Sequence, residues 1–138
     1  MSMPSSYENA VAALLSSIPL PFKREYTFPD LKGQKGHPYR FDFAILSPFG
    51  GVAYLIEVNG EQHYEAVSQF GGARGLAQTK FRDNRKIAYC RAHNIPLLII
   101  PYTAIKTLTA RDVTLYSRWR VIWGDTYVLS KCQVIWSW

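Results

Sequence analysis

Apolar positions along the chain change period several times, and each change marks a new element. Val11, Leu14, Leu15 and Ile18 recur at helical spacing and predict a helix over residues 5–18. Ser5 with Glu8 forms a capping box at its start, and Pro19 and Pro21 end it. Arg24 to Phe28 is a short strand candidate, followed by a polar loop over 29–39 rich in Gly, Lys and Pro. Two strand-like apolar runs, 40–46 and 52–58, flank Ser47-Pro-Phe-Gly-Gly51, which reads as a hairpin connection. A loop runs from Asn59 to about Gly72, and residues 73–93 then read as a long basic helix ending near Asn94. Leu97-Leu-Ile-Ile-Pro-Tyr102 is almost wholly apolar and fits a strand buried on both faces. Thr109 is placed to cap a short helix reaching Trp119, and the end of the chain, from Tyr127 to Trp138, is β-rich and aromatic. The order helix, strand, hairpin, helix, strand predicts an α/β (α+β) chain with a mixed central sheet and flanking helices.

Composition fits this picture and adds a partner class. The 138 residues suit one domain, with a core over about 5–102 and a C-terminal extension over 103–138. Hydrophobic residues make up 48%, enough for a core, and charged residues 19%, too few for a disordered chain. The net charge of +6 argues for a polyanionic partner rather than for any fold. The two cysteines, Cys90 and Cys132, have neither metal-ligand spacing nor a CxxC partner, so a reduced, cytoplasmic chain is expected. No signal peptide is visible, and no apolar run approaches the ~18 residues of a membrane span.

The candidate chemistry lies in the hairpin. Folding it symmetrically about Phe49 and Gly50 sets Asp42 directly opposite Glu57 on two otherwise apolar strands. Like charges there repel across roughly 4.5–5.5 Å. A divalent cation between the carboxylates removes the repulsion, and oxygen ligands suit Mg²⁺. Alternation puts Phe41, Phe43 and Ile45 on the opposite face and leaves Asp42 and Glu57 facing a cleft. The competing reading makes one acid a salt-bridge partner of Arg40 or Arg24. Glu25 either completes the acidic cluster or caps a sheet edge.

The turn at Asn59-Gly60 brings Gln62 or His63 back toward the pair, where a histidine can act as acid or base and a glutamine can orient water. On the 73–93 helix, Leu76, Asp83, Ile87 and Cys90 share one inward stripe, with Lys86 three residues beyond Asp83. Arg74, Lys80, Arg82, Arg85 and Arg91 form a row that can track a phosphate backbone. The competing reading is a solvated basic helix with an Asp83–Lys86 pair.

These residues resemble the PD-(D/E)XK nuclease superfamily over about residues 20–102, with its αβββαβ restriction-endonuclease-like core. Asp42 matches the first acid and Glu57 the second, while Asn59 stands where the motif has lysine. The run Ile56-Glu-Val-Asn-Gly-Glu-Gln-His-Tyr64 is similar to very-short-patch-repair-like and phage or intron-encoded homing endonucleases, in which Gln or His after the acidic strand replaces that lysine. Gln62 and His63 are the matching positions, and Glu25 matches an early Glu of some members. The resemblance implies a Mg²⁺-dependent endonuclease of double-stranded DNA, with Mn²⁺ as a substitute. Asp42, Glu57 and the Val58 carbonyl would hold metal, Gln62 would orient water, and Lys86 or His63 would stabilise the phosphate. Lys32, Lys35, Arg40, Arg74, Lys80, Arg82 and Arg85 would grip DNA. It further implies a bacterial or phage-encoded homodimer or homotetramer with no membrane partner.

Homing endonuclease comes first within that class and Holliday-junction resolvase second. A mismatch nicking enzyme is third, since that family usually carries structural zinc and this chain lacks the cysteines. A catalytically inactive nuclease fold that only binds DNA is the alternative of another class.

Overall fold

The computed structural model describes residues 6–61, 66, 71–110, 112–113, 126–128 and 133–135. Helix α1 spans Ser6–Ser16 and helix α2 spans Gly72–Ala92. The strands are β1 (Phe22–Lys32), β2 (Pro38–Leu46), β3 (Val52–Asn59), β4 (Leu97–Pro101), β5 (Thr126–Val128) and β6 (Gln133–Ile135). They form one sheet in the order β1-β2-β3-β4-β6-β5. Among the described strands only β3 and β4 run parallel, as the α2 crossover between them requires. The short β5 and β6 continue the sheet past β4, which therefore has a neighbour on each side.

The helices cover opposite faces. Val11 and Leu15 of α1 pack with Phe43, Ile45, Tyr54, Ile56, Val58, Leu98 and Ile100. Cys90 of α2 packs with Ala44, Leu55, Leu97 and Ile99. This alternation along β3 and β4 is why the Leu97–Ile100 run is apolar throughout, since both of its faces are buried. Burial also pushes the Cys90 thiol up to about 12, so it is an inert packing group.

The helix ends follow their local chemistry. Asn94 takes a left-handed φ of 55°, Ile95 N–H donates to the Cys90 carbonyl (2.9 Å) and Asn94 N–H to that of Arg91 (3.4 Å). This is a Schellman ending with asparagine in the position that favours glycine. Thr109 N–H donates to Asp112 Oδ2 and Asp112 N–H to Thr109 Oγ1, a reciprocal cap for the helical residues 110, 112 and 113. The continuation expected toward Trp119 lies outside the described residues, as do Ser5 of the expected α1 cap and the C-terminal tryptophans.

Two expectations need correction. The polar loop expected over 29–39 is mostly strand: β1 runs to Lys32 and β2 starts at Pro38, leaving a turn at Gly33–His37. The second concerns Phe41, which does not share a face with Phe43 and Ile45. Phe22 and Arg24 of β1 lie against Phe43 on the α1 side. Phe28 lies against Phe41 and against Tyr89 of α2. Both strands thus exchange faces at one row, Glu25 and Asp42. The cause is local: Glu25 sits at φ 51°, a left-handed conformation that breaks the alternation without changing the pairing on either side.

Candidate active site

The hairpin register fixes the site. Phe43 pairs with Ile56, Ala44 with Leu55 and Ile45 with Tyr54, as symmetry about Phe49 and Gly50 predicts. The register slips by one only at the turn, where Leu46 meets Val52. One step beyond Phe43–Ile56, Asp42 and Glu57 face each other and the backbone ladder gives way to side chains. Asp42 N–H donates to Glu57 Oε1 (3.0 Å), and Val58 N–H donates to Asp42 Oδ2 (2.7 Å). Each carboxylate therefore satisfies an amide of the opposite strand, which holds two acids together against their repulsion.

The second Glu57 oxygen accepts from Lys86 Nζ at 3.1 Å. That ammonium also donates to the Arg40 carbonyl at 2.6 Å and lies 5.3 Å from the centre of the Phe41 ring. Glu57 and Lys86 are 6% and 7% exposed, so the pair is shielded from solvent. The exchange of faces described above is what puts Phe41 beneath Lys86. Glu57 itself lies behind the cleft wall rather than on it, a correction to its expected exposure, whereas Asp42 and Lys86 both reach the surface of the cleft.

Burial, and then the negative charge of Glu57, push the Asp42 carboxyl up to about 8; the Val58 N–H opposes them. A carboxyl so placed binds its proton more tightly than a free aspartate does. Glu8 of α1 joins the same wall, with its carboxyl raised mainly by burial and its charge felt at Asp42. The sequence reading gave Glu8 only a capping role. Its spacing from Val11 and Leu15, on the inward stripe of α1, was the available signal.

The cleft holds about 890 Å³ between β2, the Gly33–His37 turn and α2. Lys35, Arg40, Arg74 and Arg82 line it, whereas Lys32, Lys80 and Arg85 are exposed outside its lining. Gly33 seats the Tyr39 ring: a Cβ there would stand 2.8 Å from Tyr39 Cε1. Glu25 lines the cleft and pairs with Arg40 at 3.6 Å. It is thus on the acidic wall and also ion-paired. Gln62 and His63 lie outside the described residues.

Asn59, at the expected lysine position, is 8% exposed, and its Oδ1 has no hydrogen-bond partner among the described residues. Asn59 and Glu57 are two apart on β3 and share the face that α2 covers. Lys86 of α2 thus brings an ammonium to the acid from the neighbouring helix. The surface Asp83–Lys86 pair of the competing reading does not describe Lys86, whose ammonium is buried on Glu57. In the structure Thr79, Lys86 and Cys90 are the buried positions of α2, and Asp83 is half-buried.

Among the described residues no group of three or more His, Cys, Asp and Glu side chains is gathered as a metal cage. Of the expected ligands, the Asp42 and Glu57 carboxylates meet across the hairpin, with both Glu57 oxygens already hydrogen-bonded. Carboxylate oxygens are hard donors of the kind Mg²⁺ takes. Comparison with protein-family models, curated proteins and solved structures gives no match.

Proposed function

We propose that this chain is a Mg²⁺-dependent DNA endonuclease of the PD-(D/E)XK type with a restriction-endonuclease-like core. The observation that carries the reading is the clasp of Asp42 and Glu57 across a splayed hairpin, with the Lys86 ammonium on Glu57, in a basic cleft. Asp42, its carboxyl raised by burial and by Glu57, reaches the cleft wall, where a perturbed acid is a candidate for chemistry.

Asp42, Glu57 and the Val58 carbonyl would hold the ion. Bound Mg²⁺ supplies Lewis acidity and an activated water. Asp42 would bind the ion as its carboxylate, so its proton would leave to solvent on binding. Glu57 would hold Lys86 in place, and Lys86 would offer its ammonium to the scissile phosphate in the role of the motif lysine. Gln62 orients the water, with His63 as the other candidate. Lys35, Arg40, Arg74 and Arg82 hold the phosphate backbone. Cutting both strands of a duplex calls for a symmetric dimer or tetramer. Site-specific homing cleavage is the favoured form, ahead of Holliday-junction resolution and mismatch nicking.

One observation favours the inactive, DNA-binding alternative: Asn59 in place of lysine. Lys86 beside Glu57 weighs against it. The deciding experiment is cleavage of supercoiled, linear and four-way-junction DNA with Mg²⁺. The variants to compare are Asp42→Asn and Glu57→Gln. Asp42→Asn keeps the acceptor for the Val58 N–H, whereas Glu57→Gln keeps one of two acceptors and leaves Lys86 without its carboxylate, so circular dichroism checks that each variant is folded. Cleavage lost in both variants supports the nuclease; tight, salt-sensitive binding with no cleavage on any substrate sinks it.

A further inference from the structure

Phe81 is a large apolar side chain left 50% exposed on α2, and it lines the cleft on the same helix as Lys86. Its surroundings are cationic rather than apolar. The Arg85 guanidinium lies 6.0 Å from the Phe81 ring centre and 5.8 Å from that of Tyr39, while Arg74 and Arg82 share the cleft wall. An exposed ring among guanidinium groups is a poor seat for an apolar protein surface. It suits a planar base carried on a phosphate chain, where stacking and charge act together.

Duplex bases are stacked on one another and offer no free face. We infer that Phe81 is a stacking platform for one unpaired DNA base, so that the cleft takes a nucleotide swung out of the duplex, or already unpaired, beside the phosphate held at Asp42 and Lys86. The inference rests on the nuclease reading for the place of the phosphate, but stacking can be measured without cleavage. Such stacking contributes roughly ten- to hundredfold in affinity per base.

The test uses the full chain carrying Asp42→Asn in EDTA. Fluorescence anisotropy compares a labelled duplex bearing one unpaired adenine with the same duplex fully paired. The unpaired duplex should bind about tenfold more tightly. Adding Phe81→Ala should remove the preference and leave the salt dependence of paired-duplex binding unchanged, while Phe81→Tyr should keep it. Equal binding of the two duplexes overturns the inference, as does a preference that survives Phe81→Ala. A change in sedimentation on Phe81→Ala without DNA also overturns it, because the ring then belongs to a contact between copies. A Phe81-dependent preference in a protein that never cleaves supports this inference and removes the nuclease reading. Cleavage of paired DNA untouched by Phe81→Ala, with no preference in binding, does the reverse.

Discussion

Asp42 and Lys86 show how far single side chains are committed to the site. The Asp42 carboxyl lies at about 8 in the folded chain, against 3.8 for the group when free. The native state therefore binds the extra proton between these values, and this contribution to stability is lost as pH rises from about 4 to about 8. The difference in unfolding free energy between wild type and Asp42→Asn, measured by urea titration in EDTA, should turn in favour of the variant across that window. Mg²⁺ should restore wild-type stability more at pH 8 than at pH 6, because at the higher pH less proton has to be displaced. Lys86 is bound the other way, as a buried charge whose loss strands Glu57. Lys86→Ala should cost about 3–5 kcal/mol in the same assay. Combined with Glu57→Gln, Lys86→Met should cost less than the two single changes summed, because neither charge is then left alone.

Among the elements, the long periodic runs were the readable part. The helix–strand–hairpin–helix–strand order, the hairpin register and the helix end near Asn94 all follow from spacing, turn residues and capping chemistry. The exchange of faces at Glu25 and Asp42 was not readable. It depends on one left-handed non-glycine residue, which nothing in the local sequence marks. Glu8 was read only as part of a helix cap, and the buried ion pair of Lys86 with Glu57 went unread; each is a polar residue on an inward helical stripe. A charged residue in register with buried apolar ones is itself the signal. The Schellman ending of α2 is testable on its own. Asn94→Ala should cost about 1 kcal/mol, because alanine strains the left-handed position, while Asn94→Gly should be neutral or slightly stabilising in thermal unfolding.

At the scale of the whole molecule, Lys35, Arg40, Arg74, Arg82 and Lys86 line the cleft that carries the acids, among the described residues. Each arginine that contacts phosphate should lower the slope of log affinity against log salt by about 1 when removed. Arg74→Ala and Arg82→Ala, which line the cleft, should each do so in DNA-binding titrations. Lys80→Ala, outside the lining, should leave the slope nearly unchanged. Among the described residues no helix is long and apolar enough to cross a membrane.

The carboxylate clasp has one more consequence. The amide protons of Asp42 and Val58 are held by side chains whose charge changes with pH and with any ion that takes their oxygens. Their neighbours in the ladder, from Phe43 to Ile45, are held by backbone carbonyls, whose charge is fixed. These two signals in an amide NMR spectrum are therefore built-in reporters. Their shifts and exchange rates should follow the protonation and loading of the site, while the rest of the sheet stays silent.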